Sequence, residues 1–295
     1  MWVNYQNRSG ITMQKTIKYS AKCSGRSITG QYESSVTFSP ALPDTGIVFV
    51  RDDLPGRPEV VCETEYARTD SRWTSLVKNN IQIEHTEHLL AAIIGLGIDN
   101  IRVHLDSSHI PVVSHFSSKD FVDALIQAEP IPQNTPKRYL TITKPQWVFD
   151  SFIYEGNSYE SILLALPAPE TVFTYLLDYP GKQLPTQIAH FKVTSDKDFI
   201  SELSSARSYI MDYEFELVEK LIGSTMDQCL VISKDAKANL TWDNEPARHK
   251  LVDLLGDIGT IGMPVKGHFI GIRTGHKSNI RMAQKLKSNL LDDLP

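Results

Sequence analysis

The sequence is poor in cysteine. Its three, Cys23, Cys62 and Cys229, stand far apart in 295 residues. An odd, unclustered set excludes a disulfide scaffold, and without a Cys-x-x-Cys pair there is no thiolate metal site. A surplus of positive charge is also lacking. The net charge of −5 offers no global field to draw in nucleic acid or an anionic membrane, so no nucleic-acid partner is expected. Long apolar runs are missing too: nowhere do 18 apolar residues follow one another, which excludes a spanning helix. The polar start, Met1 to Arg8, is not followed by the apolar core of a signal peptide. The expectation is a cytoplasmic, monomeric enzyme.

What is present is an ordinary globular composition, 41% hydrophobic and 22% charged, at a length suited to about two domains. Residues 1–12 are polar and read as a loose arm. Short alternating segments from Ile17 to Val50 predict strands. Over 86–97 the pattern changes. Thr86 can cap a helix, Glu87 sits at its positive end, and Leu89, Leu90, Ile93 and Ile94 form an apolar face. A strand over 100–105 and an amphipathic helix over 118–127 follow. The stretch 129–137, with three prolines, is the best linker. Beyond it, strands are expected over 139–143, 147–154, 159–166, 171–178, 229–233 and 268–273. Helices are expected over 196–205, 212–221, 246–262 and 279–291. Strands followed by helices in each half predict two α+β layers packed together. A duplication relating the halves is not legible.

Three clusters carry chemistry. In Arg248-His-Lys-Leu-Val-Asp-Leu-Leu-Gly-Asp257, residues His249, Asp253 and Asp257 are spaced four apart and project from one helix face. A His and a carboxylate one turn apart can bind one metal ion. Such spacing alone is most often a solvated face, but this helix is apolar over much of its circumference, and a carboxylate buried there needs a partner. His85-Thr-Glu-His88 offers a third ligand at a helix start, with Glu87 placed to act as a base and His85 as an alternative ligand. Finally, Gly267-His-Phe-Ile-Gly-Ile-Arg-Thr-Gly-His276 ends a strand at a Thr-Gly turn. There, Asp257 could hold His276 protonated as a general acid.

These strings resemble the UDP-3-O-acyl-N-acetylglucosamine deacetylase family, the zinc amidases of lipid A biosynthesis. The resemblance rests on Thr86-Glu-His-Leu-Leu-Ala-Ala-Ile-Ile-Gly-Leu-Gly-Ile-Asp-Asn100, on 248–257, and on Pro264-Val-Lys-Gly-His-Phe269 followed by Thr274-Gly-His276. Weaker matches are Ser205-Ala-Arg-Ser208 and Asp70-Ser-Arg-Trp-Thr-Ser-Leu76. The resemblance implies an α+β fold of two similar domains, 13–131 and 138–295, with the active site between them. It implies a zinc ion (Zn2+) on His88, His249 and Asp253, Glu87 as general base, and His276 as a cationic catalytic histidine beside Asp257. It further implies Lys250 as a substrate contact and Thr174 as an oxyanion stabiliser. The reaction implied is hydrolysis of an N-acetyl amide on a nucleotide-sugar or acylated amino-sugar substrate.

The pattern departs from the family at places that handle substrate. Gly25-Arg-Ser-Ile-Thr-Gly30 replaces a Gly-x-Gly-Leu-His-Ser-Gly signature. Pro111-Val-Val-Ser-His-Phe-Ser117 has lost an acid and a glycine. The insert over 206–227, which forms the acyl-chain passage in the family, is shortened. Pro180-Gly181 stands where the family has His-Pro. An intact hydrolytic centre with an altered pocket is the expectation, in a divergent member that could take another N-acyl substrate. A weakly catalytic binding protein that kept the fold is the competing possibility.

Overall fold

The computed structural model describes residues 12–182, 184–233 and 239–292; residues 1–11 of the expected arm lie outside them. The first half of the chain forms β1 (Met13–Ile17), β2 (Ala21–Arg26), β3 (Glu33–Pro40), β4 (Ile47–Arg51) and β5 (Glu59–Val61). Three short strands follow, β6 (Ala67–Arg68), β7 (Ser75–Lys78) and β8 (Ile81–Glu84). Then come α1 (Glu87–Gly95), β9 (Ile101–Leu105), α2 (Lys119–Gln127) and β10 (Pro130–Pro136). The second half opens with β11 (Leu140–Thr141), β12 (Gln146–Tyr154), β13 (Asn157–Leu166), β14 (Thr171–Leu177) and β15 (Gln187–Lys192). It continues through α3 (Asp196–Glu202), β16 (Tyr209–Met211), α4 (Phe215–Ile222) and β17 (Leu230–Ile232), and closes with α5 (Glu245–Gly259), β18 (Val265–Ile272) and α6 (His276–Asp292).

The two main sheets share one topology. The first has the order β2-β3-β9-β4-β5 and the second β12-β13-β18-β14-β15. In each, the last strand inserts beside the third and pairs with it in parallel, β9 with β4 and β18 with β14, while the other pairs along these two paths are antiparallel; the short β11 adds one more parallel pairing to β18. A helix precedes that inserted strand and another follows it, α1 and α2 in the first half, α5 and α6 in the second. The α+β expectation therefore holds, and the halves are a structural duplication that their side chains conceal.

Helices of the two halves meet along α1 and α5. Leu89, Leu90, Ala91, Ala92 and Ile93 of α1 are all buried, because the helix is enclosed by its own sheet and by α5. Each buried leucine contributes about 1.5–3 kcal/mol. Two glycines of α5 permit the close approach. A methyl group at Gly256 would collide with the Glu87 carbonyl oxygen, and one at Gly259 with the Ile94 side chain.

Two local expectations change. The proline-rich stretch 129–137 is not a free linker; Pro130–Pro136 is a strand paired antiparallel with β1. Proline cannot donate to a ladder but is tolerated in such a two-stranded edge. Thr86 does not cap α1 with its side chain, because its hydroxyl donates to the Thr74 carbonyl oxygen at 3.1 Å. No helix among the described residues is long and apolar enough to cross a membrane.

Candidate active site

The first turn of α1 and the middle of α5 bring the candidate residues together. His88 Nε2 and His249 Nε2 each lie 3.3 Å from the same oxygen, Asp253 Oδ1. All three side chains are buried. His249 Nδ1–H donates to the Ala206 carbonyl oxygen at 3.0 Å, which leaves Nε2 as a lone pair facing a carboxylate. Two acceptors pointed at each other in a buried site require a cation. The spacing suits one: a tetrahedral ion with bonds of about 2.0–2.1 Å separates its ligands by about 3.3 Å. Lys250 Nζ binds the other oxygen, Asp253 Oδ2, at 3.0 Å, so Oδ1 alone is turned to the histidines. Burial opposes the charge on Asp253, but the Lys250 ammonium outweighs it and holds the carboxyl well below its usual range. His88, His249 and Asp253 can therefore hold a metal ion.

Glu87 and His276 form the second part. Glu87 Oε2 accepts the Thr74 backbone N–H at 3.0 Å, which turns Oε1 toward His276 Nε2, 4.0 Å away. Burial pushes the Glu87 carboxyl up to about 7. His276 Nδ1 lies 2.9 Å from Asp257 Oδ2. Burial disfavours the imidazolium, but Asp257 more than offsets this through its charge and its hydrogen bond, raising the pKa to about 9. Asp257 is fully buried and is held by the Thr74 hydroxyl at 2.6 Å and by Asn279 Nδ2 at 2.9 Å. His276 opens α6 rather than sitting in a turn, and Asn279 lies one helical turn on.

Thr74 and Asn279 are supports that sequence reasoning did not assign. Thr74 lay inside the weakly matching string 70–76, and Asn279 is three residues from His276, the spacing that shares a helix face. Two expected placements differ. Thr174 is not in the site. Side chains alternate along a strand. Phe173 and Tyr175 point into the core, while Thr174 points to the opposite face and bonds with His190 Nδ1 and His268 Nε2, both at 2.9 Å. His85 is nearer than its position ahead of the helix suggested. A left-handed backbone (φ 65°) turns it into the pocket, with Nε2 3.9 Å from Glu87 Oε1. Among the described residues, Nδ1 of His85 has no hydrogen-bond partner.

The pocket over these groups is walled by Ile28, Trp73, Phe116, Ile210 and Ile222. They belong to one apolar cluster, and its members from 25–30, 111–117 and 206–227 bring three of the divergent segments to one place. Arg26 pairs with Asp227 across the seam, and its guanidinium also reaches the Ser224 carbonyl. The turn over 114–116 has left-handed backbone at Ser114, His115 and Phe116, at a cost of order 1–3 kcal/mol per residue.

A family model described as UDP-3-O-acyl N-acetylglycosamine deacetylase (LpxC) matches residues 14–288. The chain belongs to this family. Among its relatives, the UDP-3-O-acyl-N-acetylglucosamine deacetylase of Thermosynechococcus vestitus is 29% identical over 93% of this chain and 94% of its own length. That of Trichormus variabilis is 28% identical over 92% and 98%. The bifunctional enzyme LpxC/FabZ of Chlorobaculum tepidum is 32% identical over 93% of this chain, which spans 64% of that longer protein. The residues conveyed by the family resemblance at 86–100 and 248–257 are those that α1 and α5 place face to face.

Proposed function

We propose that this chain hydrolyses the N-acetyl amide of UDP-3-O-acyl-N-acetylglucosamine, releasing acetate, in lipid A biosynthesis, and that its ion is zinc. The observation that carries the reading is the convergence of His88, His249 and Asp253 beside the Glu87–His276 pair. The first half of the chain, taken as a domain over 13–131, supplies Glu87 and His88; the second, over 138–295, supplies the rest. His88, His249 and Asp253 would hold the zinc, which would supply Lewis-acid polarisation of a carbonyl and ease the loss of a proton from water.

The remaining chemistry belongs to the side chains. Glu87 Oε1, fixed by Thr74, accepts the proton of the attacking water. His276, kept cationic by Asp257, stabilises the developing oxyanion and then donates its Nε2 proton to the leaving amine. Lys250, beside Asp253 and at 5.8 Å from the Tyr209 ring, offers a charge to substrate oxygens. The test is deacetylation of the nucleotide-sugar substrate by the purified, zinc-loaded protein, with Glu87→Ala as control. Turnover that persists in that variant, or a protein that takes up no zinc, would defeat the reading and favour a binding protein that kept the fold.

A second reading concerns the acyl group. The wall built from Ile28, Phe116 and Ile222 carries the divergent segments, which favours a substrate with a different N-acyl or O-acyl chain. Rates across a series of acyl lengths decide it; a profile peaking on the family's own substrate at efficient turnover removes the idea of changed specificity.

A further inference from the structure

Two stretches of strained backbone meet beside the reacting centre. His85 has φ 65°, and Ser114, His115 and Phe116 have φ 40°, 58° and 55°. Such left-handed conformations persist away from glycine only where the surroundings enforce them. Here they bring two rings together. The His85 imidazole stands edge to face on Phe116, with centroids 5.3 Å apart, and edge to face on His88, with centroids 4.9 Å apart. Both His85 and Phe116 are buried and both line the pocket. The imidazole gains little from the chain itself. Nδ1 has no hydrogen-bond partner among the described residues, and Nε2 stops 3.9 Å from Glu87 Oε1. A buried polar group left unpaired carries a desolvation cost that an apolar side chain avoids. A strained, unpaired imidazole at this point suits contact with something that enters the pocket.

We propose that His85 and Phe116 are the wall that sets the size of the scissile acyl group and stops it at acetyl. The inference rests on the proposed amide hydrolysis. Glu87 Oε1 has two imidazoles at similar distance, His276 Nε2 at 4.0 Å and His85 Nε2 at 3.9 Å. A carbonyl carbon attacked beside that oxygen has three substituents to place. Its oxygen lies toward His88, His249 and Asp253, and its leaving nitrogen toward His276, which protonates it. The acyl carbon is left with the other imidazole, His85. Behind His85, the Phe116 ring belongs to the apolar cluster with Ile28, Trp73, Val112 and Ile210, so the wall cannot retreat without repacking. Extra methylenes pressed into a packed wall are disfavoured. A longer N-acyl group is therefore excluded, and a change of substrate carried by the divergent segments falls on the rest of the molecule.

Rates on the N-acetyl and N-propionyl forms of the nucleotide-sugar substrate test it. The wild-type protein is expected to favour the acetyl form by at least about tenfold in kcat/KM, the scale of one methylene. His85→Ala opens the wall and should raise the propionyl-to-acetyl ratio by about tenfold or more. His85→Phe keeps a ring in place and should leave the ratio unchanged. Both variants are expected to retain bound zinc by elemental analysis. An unmoved ratio in His85→Ala overturns the inference, as does equal use of both forms by the wild type. Loss of zinc in His85→Ala overturns it in favour of a metal ligand. Calorimetric binding of acetate, propionate and butyrate to the zinc-loaded protein reads the same wall without turnover. Acetate is expected to bind at least about tenfold more tightly than butyrate in the wild type, and the difference should vanish in His85→Ala. Absent N-acetyl turnover defeats the proposed function, while the acids still decide the wall: acids bound alike by the wild type, or not bound, defeat this inference.

Discussion

The first and second halves of the molecule use one strand order for two different purposes. In the first, α1 enters the seam between the halves with its N-terminus leading, and Glu87 and His88 are at its very start. In the second, the equivalent helix α5 presents its middle, with His249, Asp253 and Asp257 on successive turns. In the proposed mechanism, a short helix start offers a base and one ligand; a long helix face offers two ligands and the carboxylate behind the acid. The segments inserted before these helices differ as well. The first half spends its insert on the β6–β8 sheet, with Thr74 directly ahead of β7, the second on β16, α4 and β17, which help build the apolar wall. Duplicating a fold therefore supplied two frames, and the inserts and helix registers decided what each frame contributes.

Breaking this division of labour should give effects of graded size. The largest is expected on the metal ligands of the second half. His249→Ala should remove bound zinc by elemental analysis and lower kcat/KM by 1,000-fold or more, about 4 kcal/mol of transition-state stabilisation. Glu87→Gln, in the first half, should keep the zinc and lower kcat by about 100- to 10,000-fold, the usual range for general-base loss. Equal zinc loss in both variants would erase the distinction between the halves. Gly256→Val should destabilise the protein by about 1–3 kcal/mol, since overpacking at the seam has no room to relax; denaturant titration reads it.

Asp257→Asn tests the acid alone. The carboxylate raises the His276 pKa to about 9 and burial raises that of Glu87 to about 7, so the rate should hold between these two pH values and fall above the upper one as the imidazolium loses its proton. Without the carboxylate, burial dominates and lowers the pKa. The alkaline limb of the pH–rate profile should then move down by at least about one unit, toward or below the ordinary histidine value near 6.5. An unmoved limb would assign it to another group. The smallest effect is expected from Thr74→Val, which removes the hydroxyl to Asp257 but keeps the backbone N–H to Glu87. A loss of about tenfold in kcat/KM, about 1.4 kcal/mol, matches one hydrogen bond to a charged group.

The candidate metal and proton-transfer residues were legible in the sequence because they lie in three continuous strings, which form the start of α1, the middle of α5 and the approach to α6. Once α1 and α5 are recognised, only their mutual placement is missing. Thr174 was misplaced for the opposite reason: a strand turns successive side chains to opposite faces, so a one-residue ambiguity in a short string inverts the answer. Pro130–Pro136 read as a linker because a two-stranded edge tolerates residues that a central strand rejects. The duplication stayed hidden because backbone pairing conserves no side chains.

The ligand set has one more consequence. His88 is on one side of the α1–α5 seam and His249 and Asp253 on the other, so an ion held by all three is a rivet through the union of the halves. Binding only the assembled protein, it favours that state by mass action, about 2.7 kcal/mol when free metal exceeds its dissociation constant 100-fold. Stripping the ion should therefore loosen the molecule where α1 leans on α5, and amide exchange along those two helices should quicken before exchange in either sheet. The centre that performs the reaction would then double as the fastener of the architecture around it.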